Sequence, residues 1–163
     1  MTVVRLKRRM SFLPADVYGV VADVASYEEF LPLCEGSRTW DRRVDEKGAQ
    51  SFKAELSIGY PRLSIHERFA CDVVADPAAM VVRAVAFQGP LKHLENTWWF
   101  RSARGETDVE FHLDYEMSSR MLQMVLSGLF DYAARRMMAA FEDRLIEMSK
   151  GAVATASREE PQK

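Results

Sequence analysis

The sequence predicts an α+β domain in which a curved antiparallel sheet of seven strands packs against one long C-terminal helix. Three observations predict it. Between Cys34 and Met117 apolar side chains recur at every second residue in six runs, and from Ser118 to Lys150 they recur at the helical period. The connectors between the runs are short turns, which join antiparallel neighbours and leave no room for crossover helices. The 163 residues suffice for one domain that buries ~70% of the surface of its unfolded chain. With 48% hydrophobic and 28% charged residues and a net charge of −2, the composition is that of an ordinary globular protein. It lacks the basic surplus that nucleic acid demands, so no DNA partner is expected.

Taken in order, Val4, Leu6 and Arg8 alternate with Arg5, Lys7 and Arg9 in an opening strand whose outer side is basic. Pro14 sits where the first turn of a helix accepts it, and Val17, Val20, Val21 and Val24 fall on one helical face. Asp23 to Ser26 end that helix. Ser26 is placed to cap a second short one through Tyr27 to Leu31, which Pro32 stops. Strands are predicted at roughly 35–44, 50–59, 63–75, 79–87, 95–103 and 107–117, divided by turn signals such as Asp45 to Gly48, Gln88-Gly89-Pro90 and Arg104-Gly105. Residues 1–150 make the single domain, and the tail 151–163, which loses apolar periodicity, is expected to be disordered.

Alternation assigns the faces. Phe52, Ala54, Leu56 and Ile58 alternate with polar neighbours; so do Ile65, Phe69, Cys71 and Val73, and so do Val109, Phe111, Leu113, Tyr115 and Met117. One face of the sheet is apolar and the other wet, which makes His112 a solvated surface residue and not a general base. Two polar residues break the inner pattern. Glu67 falls between Ile65 and Phe69, where an unpaired carboxylate is expensive; it meets a ligand's polar group or a water, or a bulge turns it outward. Asn96 shares a face with Leu94, Trp98 and Phe100, and donates to a carbonyl in the interior or satisfies a loop.

In the helix, Leu122, Leu126, Leu129, Ala133, Met137, Ala140, Phe141, Leu145 and Met148 form one stripe. Met117, Met121, Met124, Met137, Met138 and Met148 are six of the nine methionines, and thioethers adapt to irregular apolar shapes in a core or at a cavity wall. A long apolar helix across a curved sheet encloses greasy volume, and neither element carries a catalytic constellation. The chain is read as a container, not an enzyme, with no catalytic residue assigned.

Cys34 and Cys71 lack CxxC spacing and have no histidine at metal-ligand spacing, so reduced thiols and no metal or covalent cofactor are expected. The start has no apolar run long enough for a signal peptide and no mitochondrial-type leader, and no run reaches the ~18 residues of a membrane span. A bacterial cytoplasmic protein is expected.

Several blocks carry a family resemblance: YEEFLPLC (Tyr27 to Cys34), KAELSIGY (Lys53 to Tyr60), FQGPLKHLENTWWF (Phe87 to Phe100), VEFHLDYEM (Val109 to Met117) and AFEDR (Ala140 to Arg144). In that order they resemble the coenzyme Q-binding branch of the START-like, polyketide cyclase/dehydrase superfamily, a branch that includes proteins described as ribosome-association toxins. The resemblance runs from Thr2 to about Lys150. It implies a helix-grip fold, START-like and Bet v 1-like, with a lipid-sized tunnel between sheet and helix. It implies ubiquinone (coenzyme Q) as the bound ligand and a chaperone or carrier role in cellular respiration.

Placed on this sequence, the tunnel wall comprises Leu56, Ile58, Phe69, Trp98, Phe111, Leu113, Tyr115, Leu122, Leu126, Leu129 and Phe130, with Glu67 and Asn96 as polar contacts. The gate segments are the short helix around Phe30 and Leu31 and the loop Gln88 to Leu94. Burying isoprenoid methylenes at ~0.8 kcal/mol each lets such a tunnel compete with a bilayer. Arg5, Lys7 and Arg9 either meet anionic lipid in a transient contact at the periphery of the inner membrane or are a solvated strand face. Two other functions stay open. The toxin members imply a factor that binds the large ribosomal subunit and blocks subunit association. The wider superfamily implies a polyketide cyclase or aromatase, which needs an acid or base in the cavity, where alternation places only Glu67 and Tyr115.

Overall fold

A computed structural model describes residues 2–158, with side chains for all of these but Leu126 and 152–158. Strands β1 (Thr2–Met10), β2 (Cys34–Val44), β3 (Gln50–Tyr60), β4 (Ile65–Asp76), β5 (Val81–Gln88), β6 (Leu91–Ala103) and β7 (Glu106–Met117) form one sheet in the order β1-β7-β6-β5-β4-β3-β2. Every neighbouring pair is antiparallel. Helix α1 (Pro14–Ala22) and a 3-10 segment (Val24–Glu29) follow β1, and α2 (Arg120–Arg158) follows β7 and lies against β1, β7 and α1. This is the helix-grip, START-like architecture: a meander from β2 to β7, with β1 added beside β7 and the long helix gripped on the concave side.

Local chemistry sets most boundaries. Leu13 is extended ahead of Pro14, as a residue before proline must be, and α1 starts at the proline. In the β2–β3 turn Asp45 Oδ1 accepts the backbone N–H groups of Lys47 and Ala49, both at 2.9 Å. Gly48 there takes a positive φ of 87°. At the β6–β7 hairpin Arg104 and Gly105 both have positive φ, 53° and 82°, the backbone of a twisted two-residue turn. Register shifts in β2 between Trp40 and Arg43, in the β4–β5 pairing at Ala70/Cys71 and in β6 between Leu91 and His93 bend the sheet into its curve.

Two expectations are corrected. The second short helix begins at Val24, so Ser26 lies inside it; the Ser26 hydroxyl donates to Asp23 Oδ2 at 2.6 Å and caps nothing. The long helix starts at Arg120 because the Ser118 N–H and hydroxyl both donate to the Pro90 carbonyl. It then continues through Arg158, past the end expected at Lys150. The stretch from Gly151 to Arg158 contains three alanines and no proline, so nothing local breaks the helix. Residues 159–163 of the expected tail lie outside the described residues.

The core is uneven along α2. From Ala134 to Leu145 it buries Ala134, Met138, Phe141 and Leu145 in one cluster with Val17, Val20 and Val21 of α1 and Trp98, Phe100, Val109 and Phe111 of the sheet. Phe141 is the hub, with ring centroids 5.3 Å from Tyr27, 5.3 Å from Trp98 and 5.5 Å from Phe30. Ion pairs from Arg8 to Glu142 at 2.9 Å and from Arg144 to Glu29 at 2.6 Å flank it. Among the described residues of its N-terminal part, Arg120 to Phe130, none is buried.

Candidate functional site

The inner face beneath the N-terminal half of α2 is where the fold leaves apolar surface incompletely covered. Leu56 and Ile58 from β3, Ile65 and Phe69 from β4, Leu94 from β6 and Leu122, Leu129 and Phe130 from α2 are all only half-buried. Period-two alternation aims the strand residues inward, and the helix stands off from β3 and β4 because β1, β7 and α1 carry it. The result is a cleft with an apolar lining that reaches solvent.

The sheet itself opens there. Pairing between β5 and β6 runs from Val81↔Trp99 to Val85↔Glu95 and stops, leaving Ala86–Gln88 and Leu91–Leu94 splayed around Gly89-Pro90. Gly89 has φ +142°, and a Cβ at that position would sit 3.1 Å from the Arg68 carbonyl oxygen, so this turn requires glycine. Of the predicted gate segment Gln88 to Leu94 only Gly89-Pro90 is a turn, because Gln88 ends β5 and Leu91 to Leu94 already pair with β7 as the start of β6; this turn lies at the open end of the cleft.

Few bonds hold the N-terminal half of α2 over the cleft. Gln123 accepts the Met117 N–H at 2.8 Å and donates to Thr2 Oγ1 at 2.6 Å. The Tyr60 hydroxyl donates to the Leu129 carbonyl at 3.4 Å, and the Tyr115 and Phe130 rings lie 4.3 Å apart. The Tyr115 hydroxyl is buried without a hydrogen bond of standard geometry, although Thr2 stands close enough to oppose part of the upward pKa shift that burial imposes. Burial likewise pushes up Tyr60. Both phenols stay protonated at neutral pH and are donors, not bases. Cys71, on the inner face of β4, is pushed up to about 11 by burial, and Cys34 is raised by the same cause.

Glu67 lies on the inner face, half-buried, opposite Ile58 in an unbroken β3–β4 register. No bulge turns it outward, and among the described residues it has no hydrogen bond or ion pair. Asn96 is satisfied within the protein: its Nδ2 donates to the His112 carbonyl at 2.9 Å and its Oδ1 accepts the Trp98 Nε1–H at 2.9 Å. It orients the indole and is not a free donor for a ligand.

Five members of the predicted set are closed core. Leu31, Trp98, Phe111, Leu113 and Tyr115 are buried, because the cluster around Phe141 and the Tyr115–Phe130 stack fill the space beside them. Phe30 lies over Phe141 with the Arg144 guanidinium 5.0 Å from its ring centroid, at the packed end of the helix, so Phe30 and Leu31 do not gate the cleft. The Leu126 side chain lies outside the described residues. The methionine stripe is also redistributed: Met117 and Met138 are core, Met137 is half-buried, and Met121, Met124 and Met148 point to solvent.

Residues that sequence reasoning missed are Tyr60, just past the predicted strand 50–59, and Gln123, whose signal was a polar residue inside an apolar helix. A separate groove of about 600 Å³ opens between α1 and the C-terminal part of α2, with Phe12, Asp16, Gly19, Asp23, Arg144 and Met148 in its lining. It is a solvent-facing crevice with a mixed polar rim, and Phe30 alone of the predicted set touches it.

The basic strand face is largely neutralised. Arg9 pairs with Asp108 at 2.8 Å, and Arg8 reaches Glu142. Arg5 and Lys7 stand across from His112 and Glu110, since the outward residues of β7 are mostly acidic. His112 is outward as expected and bonds Glu110 at 2.9 Å. Among the described residues no three His, Cys, Asp or Glu side chains stand together as a metal set, and no helix is long and apolar enough to cross a membrane.

The chain is similar to proteins of two names. It is 28% identical to the ribosome association toxin RatA of Rickettsia prowazekii over 86% of this chain and 94% of that protein. It is 30% identical to the mitochondrial coenzyme Q-binding protein coq10 of Schizosaccharomyces pombe over 84% of this chain and 82% of that one. An 18 kDa protein of Caulobacter crescentus, solved in solution, superposes with a TM-score of 0.78 at 30% identity, covering 92% of this chain and 99% of that one. The model of one family, described as polyketide cyclase / dehydrase and lipid transport, matches residues 10–142, which hold strands β2 to β7, α1 and the helix α2 as far as Glu142. A curved sheet, a long helix held firmly at one end only and an apolar cleft beneath the other end are thus the form that the polyketide cyclase/dehydrase and lipid transport family takes in this chain, which belongs to it.

Proposed function

We propose that the protein binds an isoprenoid quinone of the ubiquinone class in the cleft beneath the N-terminal half of α2 and carries it, without catalysing a reaction, in support of respiratory electron transfer. The observation that carries this reading is the half-buried apolar lining of Leu56, Ile58, Phe69, Leu94, Leu129 and Phe130, whose exposure a lipid tail would relieve. The relative named a coenzyme Q-binding protein supports quinone as the ligand class. Glu67, the carboxylate without a partner among the described residues of the lining, would face the ring end of the ligand through a water or a hydroxyl. Movement of the Gly89-Pro90 turn and the mutually unpaired ends of β5 and β6 beside it would admit the tail, and the work would be done in the cytoplasm at the surface of the inner membrane.

The test is organic extraction of protein purified from a ubiquinone-producing host, with quinone quantified per chain by mass spectrometry. A substantial fraction of a mole per mole supports the reading. No quinone, and no uptake from quinone-loaded vesicles, refutes it.

A second reading, association with the large ribosomal subunit, is favoured by the similarity to a ribosome association toxin and by one surface. Edge strand β2 exposes Arg42 and Arg43 beside Trp40, over which the Arg38 guanidinium lies at 4.5 Å. Arg38 also pairs with Glu55, which weakens that patch as a phosphate site. Co-sedimentation with large subunits that raised salt abolishes would bring this reading forward. Cyclase chemistry has less support: among the described residues Glu67 has no hydrogen-bonded acid or base partner, and the Tyr115 hydroxyl is buried.

A further inference from the structure

Helix α2 carries a second apolar stripe on the side that faces away from the sheet. Met121, Met124 and Val125 are 75%, 82% and 50% exposed, and Gly128 and the exposed Tyr132 continue the same side at helical spacing. A stripe of large apolar side chains in water, opposite the stripe that packs, is unexplained by the fold.

The charges around it have one sign. Arg120, Arg135 and Arg136 flank the stripe, and Asp131, the one acid between Arg120 and Arg136, is paired with Arg135 at 3.1 Å. The hairpin tip Pro61–Leu63 adds Arg62 and the exposed Leu63, and it joins the same part of α2 through the Tyr60–Leu129 hydrogen bond. Among the described residues Arg62 and Arg120 have no acidic partner. On a chain of net charge −2 this end is therefore locally cationic and apolar together.

A second copy of the chain fits this surface poorly, since a two-fold interface would bring the same arginines of both copies face to face. An anionic bilayer fits both features: apolar side chains enter the boundary between headgroups and acyl chains, and the arginines meet phosphates. We propose that the outer side of α2 from Arg120 to Arg136, with the Pro61–Leu63 tip, docks on the surface of an anionic phospholipid bilayer. The purpose of docking rests on the carrier reading, because it brings the open end of the cleft to the lipid, but the surface is defined by its own residues. It also replaces the β1 face, whose charges β7 largely neutralises.

The test is sedimentation of the full chain with vesicles of phosphatidylcholine plus phosphatidylglycerol and with vesicles of phosphatidylcholine alone. Quinone is extracted from the same preparations. Binding to the mixed vesicles that weakens with salt is expected. Met121→Gln with Met124→Gln should lower it about tenfold or more, since two buried thioether side chains are lost, while the urea midpoint stays at the wild-type value. Arg62→Gln with Arg120→Gln should remove much of the salt dependence.

Wild-type binding by the methionine variant overturns the proposal. So does loss of self-association or of ribosome co-sedimentation in that variant with vesicle binding intact. Quinone retained by a protein that ignores vesicles overturns docking and leaves the carrier reading standing. Vesicle binding by a quinone-free protein supports docking and removes the carrier reading.

Discussion

If α2 is gripped at its C-terminal half and merely tethered at its N-terminal half, truncating Phe141 and truncating Leu129 should have very different effects. Phe141 is 0% exposed and meets three rings at 5.3, 5.3 and 5.5 Å. Two of those rings are fixed by their own bonds, the Tyr27 hydroxyl to the Val21 carbonyl and Trp98 Nε1 to Asn96, so the cavity left by Phe141→Ala cannot collapse. The loss belongs in the upper part of the ~3–5 kcal/mol range for aromatic truncations in cores. In a domain of this size that lowers Tm by about 10–15 °C. Leu129 is half-buried, and Leu129→Ala should cost about 1–2 kcal/mol. Urea titrations followed by far-ultraviolet circular dichroism give both values. A Phe141→Ala loss below about 2 kcal/mol, or equal losses for the two variants, would refute the division of the helix into a gripped and a tethered half.

Three further outcomes are expected. Asn96→Leu leaves the Trp98 indole N–H unpaired and removes the side-chain donor from the His112 carbonyl, and should destabilise by about 1–3 kcal/mol; a neutral result by urea titration would show that the indole finds another partner. Glu67→Gln removes an unpartnered charge from the cleft and should leave stability unchanged or raise it while strengthening uptake of a purely apolar probe such as a long-chain alkane, and a clear loss of stability would mean the carboxylate has a structural partner. The Cys71 thiol, raised from 9.0 to about 11 in the folded chain, holds its proton longer there than in the unfolded one. Its contribution is complete below pH 9 and is lost as pH climbs to about 11, about 3 kcal/mol in all, so the urea midpoint of Cys71→Ala should fall less steeply than that of the wild type over that window.

Much of the architecture is legible because it depends on neighbours in the chain. Alternation placed Glu67, Asn96, Tyr115 and His112 on their correct faces, since side-chain direction in a strand is a matter of residue parity. Pro14, Asp45-Gly48 and Arg104-Gly105 marked their boundaries because proline and positive-φ turns act locally. Ser26 misled because a cap depends on where the preceding turn ends, which packing of Val24 and Tyr27 decided.

The candidate site was less legible. Helical period alone gave the methionines of α2 to one stripe, yet Met121 and Met124 face water and Met138 faces the core, because the helix can be rotated about its axis without changing its periodicity. The same holds for the predicted tunnel wall. Trp98, Phe111 and Leu113 share inward parity with Leu56, Ile58 and Phe69, but only packing separates them: the core cluster that contains Phe141 buries the first group and leaves the second half-covered. The sequence by itself determined the strand faces, the element order and the family to which the chain is similar, all of which follow from local periodicity and residue identity. The tertiary structure alone decided which end of the helix is clamped, where the cleft lies and which cations remain unpaired, because those depend on how elements distant in sequence meet, and no residue pattern within one element specifies that.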